Sequence, residues 1–171
     1  MVRALLLLFL LSTPAYARIF LEPEAGYEVG KYSKTITTLG VLSTSTDNTA
    51  HGFDYGAKLG YRKHFLLIGG EYETSSLSGS LITKDASAFA GFAFLHFRIW
   101  GSYIFSAKIT DGSGSGYKVG LGTPLLYWLR LNGEYSVRNY NSYSGTALAA
   151  GSSYGASLKS VKVTLSLPLN L

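Results

Sequence analysis

Apolar and polar residues alternate along this chain with a period of two. Residues 53–62 show it most plainly. Phe53, Tyr55, Ala57, Leu59 and Tyr61 stand at odd positions, and Asp54, Gly56, Lys58, Gly60 and Arg62 at even ones. Successive side chains of a β-strand point to opposite faces, so this segment is predicted to be a strand with one apolar and one charged, glycine-dotted face. The pattern recurs over residues 19–31, 65–73, 86–94, 97–108, 116–123, 127–140 and 155–169. Eight strands are therefore expected. The fourth is rich in Ala and Phe and its parity is open; Ala88, Ala90, Phe92 and Phe94 are taken as its outward set. In the eighth, Val161, Val163, Leu165, Leu167 and Leu169 share a face, and Leu158 is out of phase with them. A bulge there, or emergence from a membrane, is the expected cause.

The connections also alternate. Polar, Ser/Thr/Gly-rich stretches at residues 33–49, 75–85, 110–114 and 141–153 read as long loops, whereas 63–64 and 95–96 are short turns and Pro124 breaks the sixth strand. Long and short connections in turn are the signature of an all-β, eight-stranded antiparallel up-and-down transmembrane β-barrel with its long loops on one side. An even number of strands lets the chain close, leaving no backbone edge in lipid.

The ends and the composition narrow the class. Residues 1–17 carry Arg3, an apolar run over residues 4–11 and Ala15-Tyr16-Ala17, the plan of a cleaved secretory signal peptide. Residues 18–171 are then the barrel domain. No segment reaches the ~20 continuous apolar residues of a membrane helix. Even so, the chain is 47% hydrophobic, 14% aromatic and only 15% charged, which suits apolar residues exported to lipid through strands. Cysteine is absent, so no disulfide and no zinc–thiolate site is expected. The net charge of +5 is dispersed, without a basic stripe, which argues against nucleic acid.

Alternation alone does not say which face is inside; a soluble lipocalin-like barrel has the same period with apolar residues inward. Three features favour lipid outside. Glycines gather on the polar face, where a narrow lumen needs room beside long side chains. Aromatics gather near both ends of the apolar band: Tyr61, Phe65, Phe94, Phe97, Tyr127 and Trp128 by the short turns, and Tyr32, Phe53, Tyr72, Phe105, Tyr117, Tyr135 and Tyr140 toward the long loops. These are expected to form two interfacial girdles. The polar-face charges also balance. Glu22, Glu24, Glu28, Asp54, Glu71, Glu73 and Glu134 oppose Lys58, Arg62, Arg98, Lys118, Arg130, Arg138 and Lys162. Unpaired charges are costly in a closed lumen, so an ion-pair network, with Trp100 also inward, is predicted there.

Strand number, loop asymmetry and a charged core make the chain resemble the small eight-stranded outer-membrane β-barrel proteins of the OmpA/OmpX class. The resemblance covers all of residues 18–171 and implies location in the cell outer membrane of a Gram-negative-type cell. It also implies contact with outer-membrane lipid and lipopolysaccharide. The last strand resembles the signal read by the outer-membrane assembly machinery, except that Leu171 stands where the family usually has an aromatic residue.

Three functions are weighed on this basis. A barrel of eight strands is just wide enough for its own side chains, so a plugged, non-enzymatic, monomeric protein acting structurally or through loops and lipid is the leading expectation. Lys31, Lys34, Lys84 and Lys159 lie at or above the outer interface, within reach of lipid phosphates or simply solvated. The second is a narrow channel for ions or small apolar solutes, as in the OmpW family. The third is a lipid A-modifying enzyme. That chemistry needs a Ser/His/acid set at the outer end. His64 and His96 fall on short turns, only His51 is at the outer end, and the His-x-Ser pair of lipid A deacylases is absent. No catalytic, cofactor-binding or metal site is expected.

Overall fold

The computed structural model describes residues 17–38, 42–94, 96–110, 112–143 and 153–171. The expected signal peptide lies almost wholly outside the described residues. The chain forms β1 (Ala17–Thr38), β2 (Leu42–Lys63), β3 (Leu66–Leu77), β4 (Leu81–Ala93), β5 (Arg98–Ile109), β6 (Gly112–Leu126), β7 (Leu129–Tyr143) and β8 (Ser153–Ser166). Each strand pairs antiparallel with the next, and β8 pairs with β1, closing the sheet. A two-residue β9, Leu169–Asn170, continues β8 past Pro168 against Phe20 and Leu21 of β1. The result is the expected eight-stranded up-and-down barrel. No helix among the described residues is long and apolar enough to cross a membrane; strands do the crossing.

The wall is inverted relative to a soluble protein. Leu59, Ile68, Ile99, Val119, Leu121 and Val163 are about half exposed on the outside, while Glu22, Glu28, Lys58, Glu73, Lys118 and Arg138 are among the charged residues buried inside. The lipocalin-like alternative, with apolar residues inward, is thereby excluded. Ala88, Ala90, Phe92 and Phe94 of the fourth strand are exposed, so that strand has the outward parity assigned to it.

Pro124 does not end the sixth strand, which pairs through it with Arg130 and runs on to Leu126, and three larger features depart from the periodic reading. First, much of what reads as long loop is paired strand. β1 and β2 each run for 22 residues, in register from Ala17↔Lys63 to Thr38↔Leu42, and form a ribbon that continues past the end of the β2–β3 pairing at Gly52↔Leu77, with β8 flanking β1 as far as Thr37↔Ser153. The stretch at 75–85 shrinks to a 3-10 turn, Ser78–Ser80, flanked by strand on both sides. Ser and Thr read as turn formers, but Thr is also a good strand former, and a hairpin arm whose backbone bonds are made needs no apolar face.

Second, β8 carries no bulge at Leu158. Its registers with β1 and β7 are continuous there. Leu158 faces inward and is wholly buried, because the lumen itself becomes apolar at that height. Third, a bulge lies in β5, besides the register shifts between β6 and β7 at Ser113/Gly114 and Pro124/Leu126. Ser87 pairs with Ile104 and Ala86 with Ser106, leaving Phe105 without a β4 partner. Parity flips at the extra residue, so Ala107 and Ile109 face inward and Lys108 faces out.

Candidate functional site

The lumen is filled in layers, each built from inward positions of several strands. At the short-turn end, Glu22 of β1 accepts two hydrogen bonds from the Arg98 guanidinium of β5, each 2.5 Å. It also accepts a hydrogen bond from the Ser166 hydroxyl. Arg130 reaches the same carboxylate at 3.4 Å from the rim. Asn132 of β7 accepts from Arg98 at 2.9 Å and donates to Ser166 and Thr164, tying β5, β7 and β8 together.

The middle layer holds three lysines among acids. Lys58 Nζ lies 2.6 Å from Glu24, 2.8 Å from Glu71 and 2.9 Å from Glu134. Lys118 reaches Glu71 at 2.7 Å and Glu73 at 2.6 Å. Lys162 bonds Glu73, Asp54 at 3.2 Å and Glu134 at 3.1 Å. Oxygens of Glu24, Glu71, Glu73 and Glu134 converge within 4.8 Å of one another. That spacing would suit a cation, but the three ammonium groups already stand among them as counter-ions.

Above this, Arg138 of β7 bridges Glu28 and Asp85, each at 2.5 Å. The Ser75 hydroxyl stands between Glu28 and Asp54, within hydrogen-bond distance of both, and Ser160 donates to Glu28. An apolar layer then closes the outer end: Leu77, Ile104, Ala107, Ile109, Tyr140 and Leu158, all buried. A second apolar cluster, Phe20, Leu67, Phe89, Ala93 and Trp100, fills the side of the lumen near the short turns. Trp100 stacks beneath two cations, with Arg98 at 4.7 Å and Lys58 at 5.2 Å from its ring. The lumen glycines make room for these groups. A Cβ on Gly120 would lie 2.3 Å from the Trp100 ring, and one on Gly122 2.5 Å from Asn132 Oδ1.

Thirteen of the fourteen charged residues expected inside meet in this network, through the ion pairs and hydrogen bonds just given. Arg62 is the exception: it is half-buried at the rim, and its Nε donates to the His64 carbonyl oxygen at 3.4 Å. It pairs there because its strand ends at Lys63, below the level of Glu22 and Glu24. One acid was not foreseen. Asp85 sat in a stretch that read as loop, yet it is 2% exposed and bonded to Arg138. Its even spacing, two and four residues, from Ser87 and Phe89 on the inward face of β4 was the available signal. Acids consequently outnumber the bases of the network, and hydroxyl donors make up the difference: Ser75, Ser87, Ser160, Ser166 and Thr164 all donate to carboxylates.

Of the expected girdle residues, Phe53, Tyr61, Phe65, Tyr72, Phe94, Phe97, Phe105, Tyr117, Tyr127, Trp128 and Tyr135 are exposed on the outer wall. Phe94 and Phe97 pack at 4.8 Å between ring centroids and Phe65 and Phe92 at 6.0 Å, banding the short-turn end. Two of the set are corrected. Tyr140 is fully buried in the outer apolar layer, and Tyr32 packs against that layer from inside. Both stand at even positions of strands whose even positions face the lumen, and strand parity outweighs their height along the strand.

No family profile matches the chain, and no curated protein matches it. Among solved structures, it is similar to Neisserial surface protein A, with 13% identity and a TM-score of 0.53 over 90% of this chain and 99% of that one. The fold is that of the small outer-membrane β-barrels. More distant likenesses include a de novo designed transmembrane β-barrel (13% identity, TM-score 0.49, 86% of this chain and 95% of that one). The outer membrane protein OprG from Pseudomonas aeruginosa is another (9% identity, TM-score 0.42, 88% and 95%).

Proposed function

We propose that this barrel sits in the outer membrane as a sealed, non-enzymatic, monomeric protein that acts on its outside, through outer-leaflet lipid including lipopolysaccharide and through its β1–β2 ribbon. The observation that carries this reading is the layered filling of the lumen: ion pairs in the middle, with apolar side chains closing the outer end. Moving an ion through would mean parting buried pairs, each of which costs several kcal/mol to leave uncompensated.

The residues that would serve an enzyme are committed elsewhere. His51 is exposed on β2, whereas Asp54, three residues on, is buried in the lumen with Ser75 and Lys162. Glu71 and Glu73 are both bonded to Lys118. At the C-terminus, Leu165, Leu167, Leu169 and Leu171 are exposed on the apolar side, the arrangement an assembly machinery would read.

Single-channel recording of the barrel refolded into a planar bilayer tests the sealed lumen. Silence is expected, with insertion shown by a heat-dependent shift on gels. Discrete, reproducible openings would replace this reading with that of a narrow channel.

A further inference from the structure

The outer wall is not uniformly bulky. On β4 the outward positions run Lys84, Ala86, Ala88, Ala90 and Phe92. To one side lies Gly70, in register with Ala88; to the other lies Gly101, in register with Ala90. A Cβ on Gly101 would meet nothing within 4 Å, so that wall position opens outward. Exposed Ile68 and Tyr103 border this strip. The depression left there has a volume of about 530 Å³ and is lined by Ile68, Ala88, Ala90, Gly101 and Tyr103 among others. Above the depression Ala86 continues the run of small outward side chains, so the alanine strip from Ala86 to Ala90 covers ~13 Å at ~3.3 Å per residue and ends two residues below Lys84.

A charge feature crowns the same strip. Lys84 and Lys108 are directly opposed across β4 and β5, and both are exposed on the outer wall. The β5 bulge is what turns Lys108 outward. Like charges directly opposite are destabilising, and no acidic side chain pairs with either among the described residues. The opposed pair on β1 and β8 differs: Lys31, facing Lys159, is neutralised by Asp47 at 2.7 Å. Ten residues separate Lys84 from Phe94 in the short-turn girdle, and a strand tilted ~40° covers ~25 Å over that length, the height of an apolar band. Lys84 and Lys108 therefore stand at the outer boundary of the membrane, directly above the trough.

We infer that this face of β3, β4 and β5 seats one phosphorylated glycolipid of the lipid A type, its phosphate between Lys84 and Lys108 and an acyl chain along the alanine trough. The inference rests on the outer-membrane reading above and gives its lipid contact a place. Two ammonium groups match a phosphomonoester, which carries close to two negative charges, better than the single charge of a phosphodiester. Seating the chain in the trough restores the van der Waals contact that alanine and glycine leave unfilled.

Native mass spectrometry of the detergent-extracted barrel tests this, with lipid A, dephosphorylated lipid A and phosphatidylglycerol as probes. The barrel should retain one lipid A and neither of the others comparably. A K84Q/K108Q variant should retain lipid A about thirtyfold less well, as two interfacial lysines are lost. Ala88→Phe, with both lysines intact, should also weaken retention by filling the trough. Lys63→Gln, at the opposite end, should change nothing. Each variant is checked for folding by the heat-dependent gel shift. Equal retention by K84Q/K108Q, by Ala88→Phe, or of phosphatidylglycerol would overturn the assignment. Conductance of the same preparations reads the sealed lumen separately, so the two readings fail independently.

Discussion

At the scale of single residues, the lumen is held by charges that have nowhere else to go. Arg138 is 1% exposed and is the charged partner of both Glu28 and Asp85. Arg138→Leu should lower stability by about 3–5 kcal/mol, because it strands two buried carboxylates. Thermal unfolding in detergent measures it, and an unchanged midpoint would mean the network does not bear on stability. Arg62→Leu at the rim should cost under about 1 kcal/mol in the same assay. Gly120→Ala tests the steric fit instead. Its methyl would sit against the Trp100 ring, and overpacking of that kind costs about 1–3 kcal/mol. The sequence showed most of these partners by type and parity. It did not show Asp85, whose polar neighbours Ser75, Ser78 and Ser80 looked like loop.

At the scale of elements, the β1–β2 ribbon and the β5 bulge were the hardest to foresee. The ribbon's pairing is backbone hydrogen bonding between two arms of Ser and Thr, which leaves no apolar period to detect. Its side-chain ties include the ion pair of Lys31 with Asp47 and a hydrogen bond between the Thr37 and Ser43 hydroxyls. The hydrogen bond from the Lys31 ammonium, with one from Ser33, holds the Asp47 carboxyl below the ordinary aspartate range. A depressed value in the folded ribbon means its stabilising effect is present above the ordinary value near 4. It is lost as pH falls through the lower, folded one. Chemical-shift titration of Asp47 should give a midpoint below that of an unstructured aspartate. Lys31→Gln should move the midpoint upward; an unmoved midpoint would remove the ion pair as its cause. The bulge adds one residue, and one residue is enough to send Lys108 outward and Ala107 and Ile109 inward.

At the scale of the whole molecule, the faces and the seal are the testable properties. Val119 lies midway up β6 on the lipid side. Val119→Arg should cost about 2–4 kcal/mol in a bilayer folding assay if the wall faces lipid; a negligible cost would place the bilayer elsewhere. Leu158→Ala in the outer apolar layer should destabilise by about 2–5 kcal/mol through the cavity it leaves. It should nevertheless stay silent in planar bilayers, since the Arg138 and lysine layers beneath still close the lumen. Openings in that variant alone would make the apolar layer the gate.

What the sequence by itself determined is the barrel: strand number, antiparallel order, and which face holds the charges. Those follow from a period of two, because parity along an unbulged strand is a local property. Tertiary structure alone decided who meets whom across the lumen. Arg138 finds Glu28 and Asp85, and Lys58 finds Glu24, Glu71 and Glu134, on strands far apart in the chain but facing one another once the sheet closes. It also decided that the inside changes from charged to apolar near the outer end. Leu158 and Tyr140 look misplaced along their own strands and belong only in the company of Ile104, Ala107 and Leu77. Closure of the sheet sets those neighbours, through shear and through bulges such as those at Phe105 of β5 and Asn141 of β7, and neither leaves a mark in the pattern of any one strand.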